Sequence, residues 1–283
     1  MYRLRLLRPT RGCTAAAALA AVTLLSGCGA FPDPAPAEDT RSTRSMDAGS
    51  VSTPGPVLYA AVVARMVQEG TATFTFSGIG GGQTVSGSGQ MRFTPGAYDA
   101  DVELTMPETG RVRAVLMPTG AYLALPAAKG LPRDKPWLRV GPLPTSRFGK
   151  ELSPVVDQLR GSFDPSQALG LLQAARSVEE IGPATVEGVP TTRHRAVIGV
   201  RRATAMAEGP LEEQYRSMLE AGVRTLAFDV WLDTEGLPRR YSTDIPTSAG
   251  LYSVTGIYRD WGEPVRIEEP KAKEVFDSDK LTG

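Results

Sequence analysis

The sequence predicts an α+β domain, a curled antiparallel half-barrel sheet of about 10–11 strands with 3–4 helices covering its concave side. Short runs in which apolar and polar residues alternate recur through most of the chain. Many of them are joined by Pro- and Gly-bearing turns of hairpin length, so neighbours in sequence become neighbours in the sheet. A helical period returns in only a few segments, too few to alternate with the strands as a parallel α/β fold requires.

In chain order, Pro56, Gly70 and the stripe Tyr59, Val62, Val63 and Met66 predict an amphipathic helix over 56–69. Alternation then begins at Thr71-Ala72-Thr73-Phe74-Thr75-Phe76 and recurs over 90–93, 98–106, 111–117, 121–125 and 137–140. The glycine run Gly78 to Gly82 is followed by another strand and no Gly-Lys-Ser/Thr, so it reads as a hairpin loop and not a phosphate loop. Ser153-Pro154 has the form of an N-cap and first helical residue, with Gly161 as the stop, and Asp164-Pro165-Ser166-Gln167 opens a second short helix through Leu172. Strands follow over 184–187 and 191–200. The last helix starts at Pro210, with Glu212 and Glu213 in its first turn and Gly222 past its end. Four more strands are expected over 226–233, 239–245, 251–260 and 264–268.

The N-terminus carries a different signal. Arg3, Arg5, Arg8 and Arg11 precede an apolar run from Cys13 to Leu25 and then Leu25-Ser26-Gly27-Cys28. That is a secretory signal peptide over 1–27, its apolar run short of the roughly 20 residues that a spanning helix needs. Leu25 to Cys28 match the bacterial lipobox, which makes Cys28 the lipidated residue of a mature chain held at the extracytoplasmic face of the cell membrane. Residues 28–56 are a lipidated Cys and a flexible stalk of Pro, Ala, Ser, Thr, Asp and Gly, residues 57–277 the folded domain, and 278–283 a tail.

Composition narrows function. Lys plus Arg equals Asp plus Glu at 31 each, so no basic excess calls for nucleic acid. With two cysteines and one histidine the chain lacks the inventory for a disulfide framework, a zinc ribbon or most His-dependent chemistry, and no cofactor or metal is expected. His194 stands between Arg193 and Arg195, whose charges would depress its pKa, and is expected at the surface. Val85-Ser86-Gly87-Ser88-Gly89 lacks the setting of a nucleophile elbow, and acid pairs such as Glu179-Glu180 diverge, so no enzyme is expected. The doublets Arg201-Arg202 and Arg239-Arg240 are candidates for anionic head groups. Alternation puts Phe74 and Phe76, Val102 and Leu104, Leu116, and Leu226, Phe228 and Val230 on the concave face, either as core or as the lining of an apolar pocket.

Three segments carry a resemblance: Val186-Glu187-Gly188-Val189-Pro190-Thr191-Thr192, Val230-Trp231-Leu232-Asp233 through Pro238-Arg239-Arg240, and Tyr258-Arg259-Asp260-Trp261-Gly262-Glu263-Pro264-Val265. In these, and in the order of elements, the chain resembles the LppX and LprG type of actinobacterial lipoproteins, relatives of the lipoprotein carrier LolA. It departs from them at Arg193-His194-Arg195, where that family has a His-Tyr pair. The resemblance implies an open half-barrel with a helical lid and a cavity for acyl chains. A carrier of a lipid or glycolipid is therefore expected; the alternative is a regulatory or scaffolding lipoprotein that binds a protein partner with a filled core.

Overall fold

The computed structural model describes residues 52–280 apart from 81–82, 107–109, 125–131, 133, 164, 208 and 248–249. Cys28 and the whole of 1–51 lie outside the described residues. In chain order the elements are β1 (Ser52–Thr53), α1 (Gly55–Glu69), β2 (Thr71–Gly80), β3 (Gln83–Thr94), β4 (Ala97–Met106), β5 (Gly110–Met117), β6 (Gly120–Ala124) and β7 (Trp137–Val140). Then come α2 (Arg147–Phe163), α3 (Pro165–Ala174), β8 (Ala175–Val186), β9 (Val189–Gly199), α4 (Val200–Met206), α5 (Pro210–Glu220), β10 (Thr225–Asp233), β11 (Pro238–Thr247), β12 (Gly250–Arg259) and β13 (Val275–Asp277).

The strands form one curled, open sheet in the order β1-β8-β9-β10-β11-β12-β2-β3-β4-β5-β6-β7-β13. Two antiparallel meanders, β2 to β7 and β8 to β12, are joined where β12 pairs with β2, and β13 lies parallel to β7 at one edge. The α+β class and the curled sheet stand as expected. Among the described residues, however, the sheet has 13 strands and five α-helices cover it, not 10–11 and 3–4.

Each helix buries one stripe against the concave face. Val62 and Met66 of α1, Val156, Leu159 and Phe163 of α2, Leu169 and Leu172 of α3, Val200 and Ala203 of α4, and Tyr215 and Met218 of α5 share one core cluster with Phe74, Val102, Leu116, Phe228 and Val230 of the strands. Gly55 shows how closely α1 sits: a Cβ there would lie 2.1 Å from the Leu172 carbonyl oxygen and 2.6 Å from that of Ala175. Turn chemistry sets the hairpins. Glu187 and Gly188 both take positive φ, 48° and 85°, the two-residue turn whose twist matches that of its strands.

Several local expectations are corrected. α2 starts at Arg147, and Pro154 lies inside it. The reason is a cap from far along the chain: the Ser146 hydroxyl accepts the Gly149 N–H at 2.9 Å, while Asp279 accepts the Thr145 and Ser146 N–H groups at 2.8 and 2.9 Å. Residues 278–280 are thus a 3-10 turn in the fold, with Ser278 fully buried. β8 begins at Ala175, nine residues before the expected 184, and α4 follows β9 directly. Residues 264–268 form no strand. Val265 and Ile267 instead pack on Val115, Tyr122 and Met117, on the convex side of β5 and β6.

The convex face carries a second organising cluster. Trp231, 9% exposed, lies between Arg193 and Arg240, whose guanidinium carbons sit 5.2 and 4.7 Å from its ring centroid. Asp229 beside it accepts Arg193 Nη2 at 2.8 Å and both Arg195 Nε and Nη2 at 2.9 Å. Burial raises the Asp229 carboxyl, but the hydrogen bonds and charges of Arg195 and Arg193 outweigh it and hold the group below the usual carboxylate range. A depressed carboxyl contributes stability above its unfolded pKa and loses it as pH falls through the folded value. Asp229→Asn is therefore expected to cost about 2 kcal/mol at pH 7, and denaturant melts at pH 7 and at pH 3 should show the difference from the parent shrinking in acid.

Candidate functional site

The concave face is a chain of aromatic rings seated on glycines. From β10 towards the helices, ring centroids lie 6.2 Å apart for Phe228 and Tyr241, 6.1 Å for Tyr241 and Tyr258, 6.4 Å for Tyr258 and Phe74, 6.4 Å for Phe74 and Phe76, and 5.2 Å for Phe76 and Phe163. Cross-strand register sets the seats: Phe74 opposes Gly89, Phe76 opposes Gly87 and Tyr241 opposes Gly256. A Cβ would meet Phe76 at 2.4 Å on Gly87 and Tyr241 at 2.1 Å on Gly256, so each ring lies flat over its neighbour's bare backbone. Across these strands the glycines make room for ring area on the concave side.

The helices do not cover this face evenly. α1, α3, α4 and α5 form one group over β8 and β9, while α2 lies towards β7 and sends Phe163 against Phe74 and Phe76. Between them Phe76, Val85, Tyr241 and Ile245 are half-buried apolar side chains packed on the core. Tyr252 and Val254 of β12 are half-buried beside them. Tyr241 lies deepest: burial pushes its hydroxyl up to about 12, yet part of its surface still reaches solvent. Burial also raises Tyr252, whose hydroxyl hangs over Gly78.

Seven of the eight expected lining residues, Phe74, Val102, Leu104, Leu116, Leu226, Phe228 and Val230, are buried in the one core cluster, and Phe76 is half-buried against it. Alternation did not reveal Tyr241, Tyr258, Phe163, Val85 and Ile245. The glycine opposite each ring is the signal that marks Tyr241, but it becomes legible only with the register. His194 registers with Val230 and Glu180 and is half-buried on this same face, so it is not a surface histidine. Its pKa is lowered by burial, with Glu180 opposing, and not by the flanking arginines, which point to the other face. Among the described residues no three His, Cys, Asp or Glu side chains are grouped to hold a metal ion, and no helix is long and apolar enough to cross a membrane.

The opposite end of the sheet has a second, polar character. A half-open pocket of about 200 Å³ is lined by Val186, Glu187 and Val189, by Arg239, and by Tyr258, Arg259 and Asp260. These residues come from the three segments that carry the sequence resemblance. Their charges are spent on structure: Arg259 Nε and Glu187 meet at 2.5 Å, Arg239 and Asp233 at 2.7 Å, and Asp260 accepts the Thr73 hydroxyl at 2.6 Å. The segments therefore form a locked corner of the sheet. Arg239 and Arg240 belong to this locked framework, through Asp233 and Trp231 respectively, and are not free for head groups.

No family model matches the chain. A Streptomyces griseus protein, described as an uncharacterized 31.2 kDa protein in the rplA-rplJ intergenic region, is 29% identical over 148 residues, covering 50% of this chain and 48% of that protein. The match thus spans about half the length of that relative. Among solved structures, Mycobacterium tuberculosis lipoprotein LppX aligns over 75% of this chain and 99% of its own, at 16% identity and a TM-score of 0.45. The chain is similar to LppX-type lipoproteins. LprF from Mycobacterium bovis aligns over 77% of this chain and 98% of its own, at 13% identity and the same TM-score of 0.45.

Proposed function

We propose that this chain is an envelope lipoprotein, anchored through Cys28, that holds the acyl chains of a lipid or lipoglycan against the aromatic floor of its half-barrel and carries them across the envelope space without side-chain chemistry. The observation that carries the reading is the strip of half-buried Phe76, Val85, Tyr241, Ile245 and Val254 between the two helix groups. Apolar surface left partly wet inside a fold is stabilised by an apolar ligand at about 25 cal/mol per Å² removed from water. The expected lining residues Phe74, Val102, Leu104, Leu116, Leu226, Phe228 and Val230 form the packed layer beneath it, and Phe163 is the side chain that must yield to admit a longer chain.

Titration with a pyrene-labelled fatty acid tests the reading through energy transfer from tryptophan, since Trp261 lies 5.5 Å from Tyr258 at the floor. Saturable transfer at about one probe per chain is expected from a single apolar site. Transfer that never saturates, or none, contradicts a lipid site, and a filled core that docks a protein partner then stands in its place.

A further inference from the structure

Among the described residues, most arginines have their charge engaged. Arg65, Arg92, Arg111, Arg113, Arg139 and Arg259, for example, each pair with an Asp or Glu, and Arg160 donates to the Met117 carbonyl. Four exposed arginines stand apart: Arg176, Arg201, Arg202 and Arg224 make no ion pair and no ring contact. Arg224 gives only a weak hydrogen bond, 3.4 Å, to the Leu219 carbonyl.

These four are brought to one corner by the topology. Ala175 pairs with Ile198, which sets Arg176 beside the end of β9; β9 runs straight into α4, whose second and third residues are Arg201 and Arg202. The Val200 N–H donates to the Arg224 carbonyl at 2.9 Å, and Thr225 pairs with Gly199. The acids nearest in the chain are Glu179 and Glu180 after Arg176, Glu208 after Arg202 and Glu220 before Arg224; Glu179 and Glu180 lie farther along β8, registered with Arg195 and His194, and no acid occurs from Arg195 to Ala207, so positive charge dominates the corner. Antiparallel order puts it at the same end of the sheet as the β2–β3 and β11–β12 hairpin ends. There Ile79 and Leu251 are 56% and 55% exposed, and Met206 at the end of α4 is 49% exposed. No charged residue occurs from Gly70 to Met91 or from Ile245 to Tyr258.

We infer that this end of the half-barrel is a docking surface for an anionic phospholipid bilayer. The four arginines would meet lipid phosphates while Ile79, Leu251 and Met206 enter the interface, the pairing of basic and apolar side chains that interfacial segments use. With 31 basic and 31 acidic residues the chain gains nothing from a membrane by net charge, so the attraction must come from this local cluster. The docking adds to the lipid-carrying reading an orientation for the molecule, with this end turned to the membrane, and does not depend on that reading.

The test is co-sedimentation of the full chain carrying Cys28→Ser, which cannot be lipidated, with vesicles of phosphatidylcholine alone or with phosphatidylglycerol at about a third of the lipid, a composition that supplies the negative surface potential. A variant with Arg176→Gln, Arg201→Gln, Arg202→Gln and Arg224→Gln is compared with a second in which Arg111, Arg147, Arg216 and Arg266 are changed to Gln. Both lose the same charge and keep the same N-terminus, so their difference reads the corner alone, and thermal melts confirm that each is folded. Partition to the anionic vesicles is expected to fall at least about tenfold in the first variant and to hold in the second, with no such gap on phosphatidylcholine. Equal loss in both variants, no loss in either, or parent binding displaced by millimolar inorganic phosphate overturns the inference. The last outcome marks a discrete anion site instead of a surface.

Discussion

Phe228→Ala is expected to lower folding stability by about 3–5 kcal/mol, the cost of emptying a ring-sized volume in a packed interior. Phe228 is 1% exposed, stands at the middle of β10 between Ala196 and Thr243 on the flanking strands, and stacks on Tyr241. Those neighbours are small or already engaged, so the site has little with which to refill the hole. For a domain of this size the loss corresponds to a fall in melting temperature of about 10 °C. Val197→Ala, one residue from Ala196 but on the convex face and 60% exposed, is expected to change stability by less than about 0.5 kcal/mol. Denaturant melts of the two variants check the assignment of faces directly, and a reversal of their order contradicts it.

Phe76→Asp is expected to abolish uptake of an acyl chain, by about thirtyfold or more, while the fold persists. The ring of Phe76 lies over Gly87 and meets Phe163 edge-on, but it is only half-buried, so a carboxylate there can remain hydrated in the unliganded protein. An alkyl chain laid over the strip would strip that water away, and the cost falls on binding instead of folding. The opposite pattern, a loss of several kcal/mol of stability with probe binding unchanged, would mean that Phe76 is ordinary core. Leu104→Asp gives the comparison, since Leu104 is 4% exposed and its replacement is expected to unfold the chain.

Much of this architecture is legible in local pattern. The helix from Gly55, the meander β4 to β6 and the last helix follow from alternation, helical stripes and turn residues, because each of those signals acts within a few residues. The errors share a cause. Val265-Arg266-Ile267-Glu268 alternates as a strand does, yet alternation specifies only which side chains are buried; here they cross the convex face and the Arg266 N–H donates to the Gln90 side chain. The start of α2 depends on Asp279, more than 130 residues away, and so outweighs the local cap signal at Ser153. β8 runs nine residues longer than its alternation shows because Arg176, Ser177, Glu179 and Glu180 are polar residues of a strand near the sheet edge, flanked on one side only by the two residues of β1.

The candidate site divides in the same way. Phe74, Val102 and Phe228 are visible as concave-face residues from spacing alone, whereas Tyr241, Tyr258 and Phe163 join them only because β12 pairs with β2 and α2 folds back across the sheet. The four unpaired arginines are likewise ordinary in sequence. What sets them apart is that the other described arginines found carboxylates, rings or, for Arg160, the Met117 carbonyl, a property of the folded chain and not of any motif.

Native mass spectrometry with lipid extraction, on protein exported from an actinobacterial host, shows whether the concave face takes acyl chains. Diacyl or triacyl species at near one per chain, lost from folded Phe76→Asp, are expected. A folded parent protein that emerges lipid-free and refuses added glycolipids contradicts the lipid site.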